Sequence, residues 1–127
     1  MPPFRILHSA DWHLGARFHD LDRAADEEDA IDQVVALCRE HQVDAVILAG
    51  DLFDTANPGA AEQRRYYRAL LRLVEEGGVG AVVAIAGNHD SGARLDGPRE
   101  VLAACRILVR GIQARDAAAE DAVLVLP

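Results

Sequence analysis

The sequence predicts an α/β fold in which short strands alternate with helices around a mostly parallel sheet. Three apolar runs typical of strands (4–7, 43–49 and 81–86) are each followed by a polar cluster. A segment with helical spacing then follows, an alternation typical of parallel sheets with helical crossovers. The chain has 127 residues, 50% of them hydrophobic, which suits one small domain.

The first helix is predicted from a cap at Asp22 to about Glu40, after the first strand and its polar cluster. Apolar residues recur along it at helical spacing. The predicted core-facing positions are Ala30, Ile31, Val34, Val35, Leu37 and Cys38.

The second helix is predicted to follow the strand over 43–49. Asn57 is its predicted cap and Pro58 its predicted first helical residue, and Gly77-Gly78 ends it. The spacing predicts one apolar side and one basic side. The apolar side is Tyr67, Leu70, Leu71 and Val74, and the basic side is Arg64, Arg65, Arg68 and Arg72.

The remaining elements follow the third strand, over 81–86. A short helix is predicted from Gly97-Pro98 to about Ala104, with strands over 106–110 and 122–126. No run is long and apolar enough to cross a bilayer and no signal peptide is evident, which predicts a soluble, cytoplasmic protein.

The charge balance constrains the partners. All 13 basic residues are arginine against 21 acidic ones, and the net charge of −8 argues against unspecific phosphate binding by the whole chain. A DNA partner would therefore need a local arginine patch and bound cations, which would also offset the acidic clusters.

The polar clusters carry the chemistry, because the carboxyl ends of parallel strands meet at one edge of a sheet. Asp11 and His13, at i and i+2 of an extended segment, would point the same way and can chelate one cation. Asp51 follows a glycine that permits a sharp exit from the strand, and its two oxygens can bridge two cations. Three motifs of metal-ligand residue types would thus converge: Asp11-Trp12-His13, Gly50-Asp51-Leu52-Phe53-Asp54 and Gly87-Asn88-His89-Asp90.

The remaining polar residues of the second and third motifs suggest further roles at the same site. Asp54 can orient a neighbouring group without binding metal. Asn88 offers an uncharged oxygen ligand. His89 can hydrogen-bond a phosphate oxygen or protonate a leaving group, because imidazole titrates near neutrality.

The order D-x-H, G-D-x-x-D, G-N-H-D resembles the signature of the calcineurin-like metallophosphoesterases. The longer sequences around the first and third motifs, H-S-A-D-W-H-L-G and A-G-N-H-D-S, are similar to those of the SbcD (Mre-type) branch of DNA nucleases. The resemblance implies the N-terminal half of a four-layer αββα sandwich. It also implies two divalent cations, usually Mn²⁺, with Fe or Zn as alternatives. By this resemblance the metal ligands would be Asp11, His13, Asp51 and Asn88. The catalytic residues would be His89 and Asp54, with Asp54 orienting His89.

The implied function is a metal-dependent phosphodiesterase, the DNA exo- and endonuclease component of an SbcCD-type repair and recombination complex. Its partners would be DNA and an SbcC-type ATPase, with a homodimer as a further arrangement. Two alternatives stay open: a metallophosphatase or cyclic-nucleotide phosphodiesterase, and a non-catalytic fragment.

The sequence departs from the family pattern in its histidines. Family members contribute three later histidine ligands, including a G-H-x-H motif, whereas no histidine follows His89 here. We therefore expect residues 1–127 to be a single, truncated phosphoesterase domain that is inactive alone.

Overall fold

A four-stranded parallel sheet organises the chain, which confirms the predicted α/β class. The computed structural model describes residues 2–18, 21–88, 90–111 and 126. The sheet has the order β1-β4-β5-β6, and every neighbouring pair is parallel. Its strands are β1 (Ile6–Ser9), β4 (Ala45–Ala49), β5 (Ala81–Ile85) and β6 (Ile107–Arg110).

Helices connect these strands. They are α1 (Ala24–Glu40), α2 (Ala60–Glu75), α3 (Gly92–Asp96) and α4 (Arg99–Ala104). Helix α2 packs against β5 and α1, while α3 and α4 pack along β6. A small antiparallel pair, β2 (Arg17–Phe18) and β3 (Leu21–Asp22), precedes α1. Neither this pair nor α3 was predicted from the sequence, because two-residue strands and a five-residue helix have no measurable periodicity.

The first strand differs most from its prediction. It begins two residues later than expected, and its side chains are exposed or half-buried, whereas the prediction was a buried strand. Within the described sheet β1 pairs only with β4, so one of its sides has no neighbouring strand. The predicted strand over 122–126 lies outside the described residues except for Leu126.

Helix α1 begins close to its predicted start, with Arg23 at the cap position, one residue later than expected. Asp22 still anchors this end, because its Oδ1 accepts a hydrogen bond from the N–H of Ala24, the first helical residue, at 2.8 Å. Ile31, Val35 and Cys38 form the buried face of the helix. Leu37 was wrongly predicted to face the core and is 43% exposed.

Helix α2 is rotated and shortened relative to its prediction. Its buried face is Tyr66, Ala69, Leu70 and Leu73, and Leu71 is exposed, because two overlapping sets of apolar residues both fit helical spacing. The helix begins at Ala60, two residues after Pro58. Asn57 does not cap it; its Oδ1 accepts a hydrogen bond from Arg94 Nη2 at 2.9 Å.

The core holds a buried aromatic cluster centred on Tyr66. Its ring lies 5.0 Å from those of Phe53 and Tyr67, with interplanar angles of 60°. The Tyr66 side chain is buried, and among the described residues its hydroxyl has no hydrogen-bond partner. Burial, with smaller contributions from Tyr67 and Asp90, raises the pKa of Tyr66, so the hydroxyl stays neutral.

Tyr66→Phe is therefore expected to leave the free energy of unfolding unchanged or to raise it by up to about 1 kcal/mol, because it removes a buried unpaired hydroxyl. Tyr66→Ala, which removes the ring, should lower it by roughly 3–5 kcal/mol. Urea unfolding followed by circular dichroism measures both. A loss above about 1 kcal/mol for Tyr66→Phe would mean that the hydroxyl is bonded.

No helix in the described ranges is long and apolar enough to cross a membrane.

Candidate metal centre

The candidate metal centre lies where β1 and β4 end. The pairing of the two strands continues past their last residues into the loops that carry the predicted ligands. Asp11 N donates to Gly50 O at 3.0 Å, and His13 N donates to Asp51 O at 2.9 Å. The ladder ends in a parallel bridge between Leu14 and Phe53. Ladder hydrogen bonds therefore fix the two loops against each other.

Apolar residues within the same loops hold them down. Leu14, Leu52 and Phe53 are almost fully buried in the core. Trp12 packs partly against it, and its Nε1 donates to Ser9 Oγ at 2.8 Å. The first loop thus alternates polar residues with apolar anchors, and the second places two adjacent apolar anchors between Asp51 and Asp54.

Three predicted ligands come together at this edge. Asp11, His13 and Asp51 each offer one ligand atom, and these atoms all lie within 4.8 Å of one another. A cation with bonds of ~2.1 Å bridges ligands up to ~4.2 Å apart, so the separation lies within a small side-chain rotation of coordination. Two carboxylate oxygens and one imidazole nitrogen, without a thiolate, suit a divalent cation such as Mn²⁺, Fe²⁺ or Zn²⁺.

The backbone that aims these side chains is left-handed, not extended as predicted. Asp11 has φ 57°, His13 φ 47° and Asp51 φ 48°. Asp and His are among the non-glycine residues that adopt this region most readily, but it still costs roughly 1–2 kcal/mol per residue. The side chains of Asp11 and His13 do approach each other, with His13 Nε2 3.9 Å from Asp11 Oδ1. The hydrogen-bonded ladder holds them in this conformation.

Asp54 lies on the other side of the His13 ring. Its Oδ1 is 3.5 Å from His13 Nδ1, while His13 Nε2 faces Asp11. A carboxylate behind a metal-binding histidine fixes the orientation and the tautomer of the ring. Asp54 was predicted to orient His89, which lies outside the described residues; its contact in the structure is with His13.

The third motif approaches the second very closely. Asn88 follows β5 at the same sheet edge and is exposed. A Cβ on Gly87 would overlap Asp51 N and Oδ1, and a Cβ on Gly50 would lie 3.0 Å from Gly87 Cα. Only glycine permits this approach, which brings the loop of Asn88 against that of Asp51.

Glu27 supports the first loop and was not singled out from the sequence. Its Oε1 accepts the Gly15 N–H at 2.8 Å, and its Oε2 accepts from Arg65 Nη1 at 2.6 Å. Both side chains of this ion pair are nearly buried, with 11% and 12% exposed. Nothing local in the sequence marks this glutamate, because its partners lie on a loop and on another helix.

A cavity of about 450 Å³ opens beside the candidate ligands. Asp11 and His13 form part of its wall, and α1 supplies the facing side with Ala30, Ile31 and Val34. The centre is therefore open to molecules from solution.

Comparison with known protein families matches residues 4–116 to the calcineurin-like phosphoesterases. The parallel sheet with its helices is consistent with the fold of that family.

Several curated relatives are named as the SbcD component of the nuclease SbcCD. The one from Bacillus subtilis is 42% identical over 91 residues, covering 72% of this chain and 23% of the relative. The one from Escherichia coli K12 is 41% identical over 99 residues, covering 78% of this chain and 24% of the relative. The one from Rhodobacter capsulatus is 37% identical over 111 residues, covering 87% of this chain and 27% of the relative. The chain spans about a quarter of the length of these relatives.

Proposed function

The chain belongs to the calcineurin-like phosphoesterase family, and from that premise we propose that it carries the first ligand loops of a metal-dependent phosphodiesterase that cleaves DNA. The observation that carries the proposal is the convergence of Asp11, His13 and Asp51 ligand atoms within 4.8 Å at the carboxyl edge of the sheet. The similarity to proteins named as nuclease components supports DNA as the substrate.

In this proposal Asp11, His13 and Asp51 hold one divalent cation, and Asp51 and Asn88 contribute to a second. Mn²⁺ is the preferred ion, in keeping with the oxygen and nitrogen donors. Such ions, when bound, polarise a phosphoryl oxygen and make a water acidic enough to attack at neutral pH.

The protein groups have distinct tasks. Asp54, 3.5 Å from His13 Nδ1, keeps the imidazole turned so that Nε2 faces Asp11, where it would be available to a cation. His89 contacts the phosphate or gives a proton to the leaving oxygen, a role that typically contributes ~10²- to 10⁴-fold to the rate.

The net charge of −8 makes the DNA contact dependent on local features. Arg64 and Arg68 lie on the exposed side of α2, and within the described residues neither makes an ion pair. We propose DNA and an SbcC-type ATPase as partners of the whole protein, acting in DNA repair and recombination.

The test has two steps. Calorimetric titration of the chain with Mn²⁺ should show saturable binding that is lost in the Asp11→Ala/His13→Ala double variant. A protein of the relatives' full length carrying this segment should then cleave DNA when supplied with Mn²⁺. The matched control is Asp29→Asn, a surface change on α1 that should leave both results unchanged.

Two results would contradict the proposal. Absence of Mn²⁺ binding by the parent chain would refute the proposed metal centre. Turnover of small phosphomonoesters or cyclic nucleotides without cleavage of DNA would favour a phosphatase or cyclic-nucleotide phosphodiesterase instead.

A further inference from the structure

One carboxylate, that of Asp90, accepts three backbone hydrogen bonds beside the candidate metal centre. Its Oδ2 accepts from Leu52 N at 3.0 Å and from Gly87 N at 2.8 Å, and its Oδ1 accepts from Phe53 N at 2.9 Å. Two of these donors belong to the second motif and one to the third, so a single side chain connects two loops.

The position of the three donors matters more than their number. Leu52 and Phe53 directly follow Asp51, the proposed bridging ligand, and Gly87 directly precedes Asn88. The backbone on one side of each residue is therefore fixed by the same carboxylate group. Asp51 itself is left-handed, at φ 48°, a conformation that persists only where its surroundings hold it.

The effect extends to the first loop through the ladder. Asp51 O accepts from His13 N at 2.9 Å, and Gly50 O accepts from Asp11 N at 3.0 Å. Whatever fixes the backbone at 50–53 thus also fixes the backbone of Asp11 and His13. All three ligand loops depend on the segment that Asp90 holds.

We propose that Asp90 is a positioning residue, which sets the separation of the two cation sites by fixing the Asp51 and Asn88 loops to each other. The inference rests on the proposed function and adds a residue to which that function assigns no role. Asp90 does not bind the cations; it determines where their ligands stand.

Only a carboxylate of this length fits the task. Asparagine has one acceptor oxygen, and its NH₂ group would face at least one backbone N–H, so that a donor meets a donor. Glutamate keeps both oxygens and the charge but places them one methylene further from the backbone. The two substitutions therefore separate geometry from charge.

The experiment measures Mn²⁺ affinity by calorimetric titration of the whole chain, with Mn²⁺ alone as the probe. Asp90→Asn and Asp90→Glu are both expected to weaken binding by roughly 10- to 100-fold, the usual effect of losing a group that orients metal ligands. Amide hydrogen exchange in the metal-free protein should accelerate at Leu52, Phe53 and His13 in both variants, while the amides of β5 stay protected.

The matched control is Asp44→Asn. Asp44 Oδ2 accepts the Arg5 N–H at 2.7 Å just before β4 begins, at the opposite end of the sheet from the metal centre. This variant also loses a carboxylate that holds a neighbouring loop, yet its Mn²⁺ affinity should stay within about two-fold of the parent.

The outcomes are distinguishable. Parent-like Mn²⁺ affinity in Asp90→Asn overturns the positioning role and leaves the metal centre standing. Loss of affinity in Asp90→Asn with parent-like exchange rates at Leu52, Phe53 and His13 overturns it too, because the charge would then act without fixing the loops. If the parent binds no Mn²⁺, the metal centre itself is refuted, and the positioning role with it. If Asp90→Asn does not fold, Asp90→Glu and the exchange rates at Leu52 and Phe53 decide.

Discussion

Asp51→Asn is expected to lower the Mn²⁺ affinity of the chain by at least ~10²-fold, more than the loss of an outer orienting group costs. The neutral amide replaces a negative oxygen in the cluster that Asp51 forms with Asp11 and His13 among the described residues. Because asparagine also adopts the left-handed backbone of this position, the loop should stay in place. Titration calorimetry with Mn²⁺ measures the change, and circular dichroism checks the fold.

His89→Gln is the comparison for this prediction. Since His89 is proposed to touch substrate and not metal, its variant should retain Mn²⁺ binding. In a full-length protein it should instead lower turnover by ~10²- to 10⁴-fold, whereas Asp51→Asn should remove nearly all activity. Equal loss of metal in both variants would refute the division of roles.

Gly87→Ala is expected to reduce both stability and metal binding. The new Cβ would overlap Asp51 N and Oδ1, so one of the two loops must move. Overpacking of this kind costs roughly 1–3 kcal/mol of unfolding free energy. The displaced carboxylate should weaken Mn²⁺ binding as strongly as the change at Asp51 itself. Urea unfolding and Mn²⁺ titration of the same preparation measure the two effects.

Gly97→Ala provides the matched glycine control. Gly97 is in the right-handed helical conformation at the end of α3, and a Cβ there would meet nothing closer than 3.4 Å. The free energy of unfolding of Gly97→Ala should be unchanged or up to about 1 kcal/mol higher, because alanine restricts the unfolded chain. If Gly87→Ala behaved like Gly97→Ala in both measurements, the close approach of the loops would be wrong.

The strands and the place of the site were predictable because they depend on local pattern. The apolar runs over 43–49 and 81–86 have the length and composition of buried parallel strands, and the structure places β4 and β5 there. Hydrophobic spacing was less decisive for α2, where Tyr66 and Tyr67 each begin an acceptable helical stripe. Packing against β5 selects the stripe, and no single-helix pattern contains that information.

The convergence of Asp11, His13 and Asp51 followed from the topology of parallel sheets. Their left-handed backbone did not, since it is imposed by hydrogen bonds between loops that are distant in sequence, such as His13 N to Asp51 O and Asp11 N to Gly50 O. The hydrogen bonds that Glu27 and Asp90 accept could not be predicted for the same reason, because their donors lie in other loops. Acidic residues are common in this sequence, and nothing local separates Glu27 from the others. Asp90 was marked only as the last residue of the third motif, without the hydrogen bonds that it accepts.

The left-handed backbone and clustered charges of the candidate ligand residues are expected to lower thermal stability while serving metal binding. In the metal-free chain, Asp11 and Asp51 bring two carboxylates together on a backbone that most side chains avoid. Asparagine would relieve the repulsion and tolerate the backbone equally well, so directed evolution for heat resistance alone would favour loss of these carboxylates. A thermostabilised library of this protein should therefore be screened in the presence of Mn²⁺, because binding of the proposed cation to the folded state would favour the carboxylates.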